Sequence, residues 1–166
     1  ESFATAVERL GSARWLSQHG NAAARKEYAL YSQRRQQFRT LTLGLRRELS
    51  EIYKPNTASA PDRRAQAAMK KVAMQAFHTR YAELKAGWDG FAGYDRWVAS
   101  TNNASLGALA AYDEMAPGFE ALFAREDKDW RRFYAAVKRL ATLPKQERHT
   151  LLHTFMANQN KEIPDG

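Results

Sequence analysis

From Asn21 to Lys54 the chain runs 34 residues without a proline, and Tyr31, Phe38, Leu45 and Ile52 recur in it seven apart. That spacing predicts a single helix about 50 Å long whose coiled-coil-like seam needs a second helix to cover it. Tyr28, Leu41 and Leu49 fill the intermediate positions, and Asn21 is a good N-cap. The lone Gly44 costs about 1 kcal/mol and does not interrupt the pattern. Pro55 to Ala60 reads as a turn, and Pro61 suits the first position of a following helix that continues to about Ala86. Its stripe is Met69, Ala73, Phe77, Tyr81, Leu84 and Trp88. Two long helices with complementary stripes and a short link make an antiparallel hairpin, about residues 21–88.

The flanking segments are helical too. A first helix is expected from about Ser2 to Ser17, with Phe3, Ala6, Val7, Leu10, Arg14 and Leu16 outlining its stripe and Gly20 ending it. Trp88 to Tyr94 sets three aromatics among glycines and reads as an irregular loop that packs its rings. Shorter helices follow at about 104–115, 117–125, 128–140 and 145–157, with Asn102 or Asn103, Asp127 and Leu143-Pro144 marking starts. Twenty-nine alanines against four valines and two isoleucines is a helix former's composition, and no window alternates apolar and polar residues with period two. The fold class is therefore all-α: one domain, residues 1–166, made of the long hairpin and a bundle of shorter helices at about 94–158. The tail Ile163 to Gly166 is expected to fray.

Without cysteine there is no thiolate zinc site, iron–sulfur cluster, thiol nucleophile or disulfide. Lys and Arg outnumber Asp and Glu by 26 to 18, and 17 of the 26 are Arg, a balance that favours acidic partners or an anionic surface. The longest strongly apolar stretch, Leu106 to Tyr112, is seven residues, too short to cross a bilayer. Glu1 opens directly on a helical pattern in place of an initiator Met, so the chain is expected to be part of something longer.

His149 and His153 are spaced i, i+4 on one helix face, as two zinc-binding imidazoles would be. Thr150 stands where an HExxH helix has its glutamate base, and Lys145 and Arg148 repel a divalent cation, so two surface or packed histidines is the simpler reading. Asp127-Lys128-Asp129 lacks the rest of a calcium loop and is expected to cap a helix. The basic clusters at Arg25-Lys26, Arg34-Arg35, Arg46-Arg47, Arg63-Arg64 and Lys70-Lys71 could meet nucleic-acid phosphates or anionic lipid. No helix-turn-helix, zinc finger or RNA-binding sheet motif accompanies them, which favours a solvated face over nucleic acid. No Ser/His/Asp signature, GxSxG turn or glycine-rich phosphate loop is present.

Two stretches carry a resemblance. Glu1-Ser2-Phe3-Ala4-Thr5 before an apolar helix, and Asn102-Asn103-Ala104 followed by Leu106, Tyr112, Pro117, Phe119 and Leu122, resemble the C-terminal half of a bacterial family of predicted zinc aminopeptidases. Arg132-Phe133-Tyr134, Leu143-Pro144 and Glu147-Arg148 continue the same pattern in the same order. In that family, as in gluzincins generally, an HExxH helix supplies two histidine ligands and a base, and a later Asn-Glu-x-x-Ala-like segment supplies the third ligand. The resemblance makes Glu1 that metal ligand and Ala4 that alanine. It implies zinc as cofactor, peptides as substrate, and a tyrosine donor for the oxyanion, Tyr112 in preference to Tyr94. Of Asn102 and Asn103, one caps a helix and the other is expected to bind the substrate backbone or its free amine. The resemblance further implies an exported, periplasmic protein held by a lipid anchor, with the basic charge beside an anionic membrane surface.

The expected function is thus the helical C-terminal portion of a zinc-dependent aminopeptidase, without catalytic competence of its own because the HExxH half is missing. The alternatives are a non-enzymatic basic module binding nucleic acid or another acidic partner, and a structural domain that dimerises through the hairpin seam. Apolar surface normally covered by the missing half could also drive a dimer.

Overall fold

The computed structural model describes residues 1–54 and 62–161. The turn expected at Pro55 to Ala60, the helix start at Pro61 and the tail from Ile163 lie outside them. The described residues form eight helices and no strand: α1 (Ser2–His19), α2 (Ala22–Ile52), α3 (Arg63–Ala86), α4 (Asp95–Ala99), α5 (Asn103–Asp113), α6 (Ala116–Arg125), α7 (Trp130–Ala141) and α8 (Lys145–Lys161). The chain is all-α, as its composition requires. It divides into two compact units, residues 21–110 and residues 1–20 with 111–166. We call them the hairpin unit and the terminal unit.

In the hairpin unit α2 packs on α3. Asn21 starts α2 by accepting from the Ala24 amide at 2.8 Å, and Asp62 starts α3 by accepting from Ala65 at 2.7 Å. Phe38, Leu45, Leu49 and Ile52 face Ala73, Phe77 and Tyr81 in one buried cluster with Trp88, Val98 and Leu106. Tyr31 keeps the seven-residue register yet is exposed. The reason is length: α2 has 31 residues and α3 has 24, and Arg34 already donates to the carbonyl of Trp88 at 3.0 Å, just past the end of α3. Met69, expected in the seam, is exposed as well.

The glycine-flanked aromatic loop packs as expected. Tyr94 stacks flat on Phe38 with centroids 4.0 Å apart, and the Trp88 indole donates to Gln37 at 2.6 Å. The short α4 that follows went unread in the sequence. It presents Asp95, whose two oxygens accept from the Tyr81 hydroxyl at 2.6 Å and the Lys85 ammonium at 2.5 Å.

In the terminal unit α6 is the axis, touching α1, α7 and α8. Phe133, fully buried, centres a cluster with Met115, Leu122, Phe123, Leu140 and Leu152, onto which Phe3, Val7 and Leu10 of α1 pack. Phe3 meets Phe119 edge to face at 5.5 Å and Phe123 meets Phe133 likewise at 5.4 Å. The start of α7 differs from expectation. Asp129 caps it, accepting from the Arg132 amide at 2.8 Å, while Asp127 takes a positive φ and pairs with the Arg132 guanidinium.

Two predictions follow from this packing. A Cβ on Gly118 would lie 2.8 Å from the Leu152 carbonyl oxygen and 2.9 Å from its Cβ. Helix propensity alone would favour Ala there by about 1 kcal/mol. Because backbone cannot yield cheaply, Gly118→Ala should instead destabilise by about 1–3 kcal/mol in thermal unfolding. The second concerns pH. Burial, then the bond to Asp95, pushes the Tyr81 phenol well above 10.0, and the bonds from Lys85 and Tyr81 hold Asp95 below its ordinary 3.8. The Tyr81 contribution is complete below pH 10 and is lost as pH rises towards the folded-state value; that of Asp95 is lost in acid. Tyr81→Phe should cost about 1–2 kcal/mol at neutral pH, and the gap to wild type should close above pH 10. A gap independent of pH would contradict this assignment.

Candidate functional site

The first stretch of the resemblance meets the later part of the second, from Ala111 onward, in the terminal unit. The Glu1 carbonyl accepts from the Thr5 amide at 3.1 Å and so starts α1, while its side chain makes no capping hydrogen bond. Ser2 is buried, and its hydroxyl does two things: it donates to the Ala111 carbonyl at 2.8 Å and accepts from the Met115 amide at 3.3 Å. It thereby fastens the start of α1 to the last turn of α5 and the start of α6. Two turns further on, Arg9 pairs with Asp113 at 2.5 Å and with Glu120 at 3.2 Å. Asp113 is buried, so the guanidinium meets a carboxylate largely removed from water.

With Ser2, Thr5, Ala6 and Arg9 turned inward, Glu1, Ala4 and Glu8 fall on the outer face of α1 and are exposed. Tyr112, the residue after Ala111, is 48% exposed. Glu1 and Tyr112 are thus the chain neighbours of the two residues that share the Ser2 bond. The Ser2–Ala111 bond brings the backbone of Glu1 and Tyr112, 111 positions apart in sequence, to one corner of the terminal unit.

The remaining candidates have other surroundings. Tyr94 belongs to the aromatic packing of the hairpin unit, where its ring covers Phe38. Asn102 is the cap of α5: its Oδ1 accepts from Ala104 at 2.9 Å and Ser105 at 3.1 Å, and its Nδ2 donates to Ser100 at 3.3 Å. Asn103 is exposed and borders a cleft of about 220 Å³ with Arg46, Ser50, Tyr53 and Leu106. Both asparagines are in the hairpin unit. His149 is half-buried and His153 exposed on α8. Among the described residues no group of three or more His, Asp or Glu could hold a metal ion.

Sequence reasoning missed Ser2, Arg9, Asp113 and Glu120. The signal available was modest. Ser2, Thr5, Ala6 and Arg9 form one helical face with two polar ends, which marks a face that meets polar groups rather than a greasy core.

Over residues 1–152 the chain matches the model of a family described as "Putative aminopeptidase". The chain belongs to this family. No curated protein and no solved structure matches it. The match takes in every residue of the Glu1–Tyr112 corner and stops within α8, at Leu152. In this aminopeptidase-family chain, Ser2→Ala should leave the buried Met115 amide without its partner and lower stability by about 1–3 kcal/mol. Ser17→Ala, on the exposed end of α1, should change it by less than about 0.5 kcal/mol. Equal unfolding midpoints for the two variants would contradict the role given to Ser2.

Proposed function

We propose that the chain is the helical portion of a zinc-dependent aminopeptidase acting on the N-terminal bonds of peptides, with Glu1 a metal ligand and Tyr112 the oxyanion donor. Family membership supports the peptidase class. The observation that carries the residue assignment is the Ser2 hydroxyl bonded to both Ala111 and Met115, which holds the Glu1 and Tyr112 positions at one corner.

The residues fit part of a zinc site. A glutamate oxygen is a normal zinc ligand, and the Glu1 side chain is exposed and uncommitted to capping. A single carboxylate does not hold the ion, so in this proposal the two histidines and the general base come from residues outside this chain. Bound zinc would supply Lewis acidity and a water whose pKa falls to about 7. This chain's own groups then do two things. The Glu1 carboxylate contributes negative charge and fixes the position of the ion, and Arg9 with Ser2 fixes the helix that carries Glu1. The exposed Tyr112 hydroxyl donates a hydrogen bond to the oxyanion that develops from the peptide carbonyl.

The test is zinc content and turnover of a free-amine peptide, measured on the complete gene product. One zinc is expected, lost with Glu1→Ala, whereas Tyr112→Phe keeps the zinc and loses about 10²–10³ in kcat. Residues 1–166 alone should retain no zinc. A Glu1→Ala variant with zinc and turnover intact would overturn the proposal.

A further inference from the structure

The positive charge of the chain belongs entirely to one unit. Residues 21–110 carry 15 Lys and Arg against 7 Asp and Glu, while residues 1–20 and 111–166 carry 11 against 11. Within the charged unit, the first half of α3 has an unusual face. At ~100° per residue, Ala65, Ala68, Met69 and Val72 share one arc of the helix, which continues at its Met69 edge into the buried stripe of Ala73, Phe77 and Tyr81. All four of the first group are exposed, Met69 by 45% and Val72 by 63%. Arg64 and Lys71, both exposed, border the arc on one side.

An exposed aliphatic stripe with a cationic border, on a unit of net charge +8, combines the two attractions that hold a helix in a membrane interface. We propose that this face of α3 docks on an anionic lipid bilayer, with Met69 and Val72 entering the boundary between headgroups and acyl chains and Arg64 and Lys71 meeting lipid phosphates. The helix lies on the surface and does not cross it; no described helix is long and apolar enough to span. Long-range attraction concentrates the unit at the membrane and the aliphatic contacts fix which face meets it. Other occupants fit less well. A second copy would set like charge against like charge. Nucleic acid offers Val72 and Met69 nothing comparable to acyl chains, since aromatic side chains are what stack on bases. The inference stands apart from the peptidase assignment, which uses the other unit.

The experiment is co-sedimentation of the 166-residue chain with vesicles of phosphatidylcholine alone and of phosphatidylcholine with an equal part of phosphatidylglycerol. The chain should bind the anionic vesicles at low salt and release from them near 1 M salt, where the Debye length is about 3 Å. Arg64→Ala and Lys71→Ala should each weaken binding about fivefold. Val72→Asp should weaken it about tenfold or more, because it puts a carboxylate at the acyl boundary. These side chains lie outside the core, and unchanged far-ultraviolet circular dichroism confirms that each variant is folded. No binding to anionic vesicles at low salt would overturn the proposal. So would binding that Val72→Asp leaves unchanged, or duplex DNA bound more tightly than the vesicles.

Discussion

The Ser2 hydroxyl closes a loop of 109 residues. The place of α1 in the terminal unit depends on that return, because α1 is the first element of the chain and α6, on which it packs, comes nearly a hundred residues after α1 ends. One hydrogen bond worth about 1 kcal/mol does not hold such a closure. It selects the register, while Ala6 in full burial, the apolar Phe3, Val7 and Leu10, and the Arg9 pairs with Asp113 and Glu120 supply the adhesion. The same register turns Glu1, Ala4 and Glu8 outward. Structure and proposed chemistry thus share a cause: the residues that bind α1 to the corner leave the neighbouring carboxylate and phenol facing solvent.

The hairpin unit is built on a different principle. Its core is a ladder of apolar residues along two helices, sealed at one end by an aromatic cluster in which Tyr94 and Phe38 stack. Polar groups gather just past the end of α3, where Asp95 collects Tyr81 and Lys85, and Gln37 and Arg34 take up the Trp88 indole and carbonyl, while Arg39 and Thr42 are buried within α2. Most of the charge sits outside this core and gives the unit its sign. One unit is neutral and the other strongly basic, so the chain's high net charge says nothing of the Glu1–Tyr112 corner and bears only on the hairpin's partners.

The helical class was legible because Ala-rich composition and a long seven-residue repeat leave few alternatives. The seam of α2 was readable from Phe38 to Ile52, where α3 faces it. It was not at Tyr31, since the period cannot tell how far the partner helix extends. Asn21 and Asn102 could be read as caps because capping is local. Asp127 was misplaced by two residues, a distance over which Asp127 and Asp129 offer the same chemistry. Ser2, Arg9 and Asp113 act across more than a hundred positions, which no local pattern encodes. Glu1 as a ligand came from resemblance alone; geometry adds that its backbone lies near that of Tyr112, and takes Asn102 into a cap.

In the proposed function, the corner fastened by Ser2 presents Glu1 to a metal. The most direct measurement is anomalous diffraction at the zinc edge from crystals of the complete gene product. A single zinc is expected with a Glu1 carboxylate oxygen at about 2.0–2.2 Å, and the Tyr112 hydroxyl facing the same cavity. Zinc coordinated by other residues, with the Glu1 side chain turned away from it, would contradict the role proposed for Glu1.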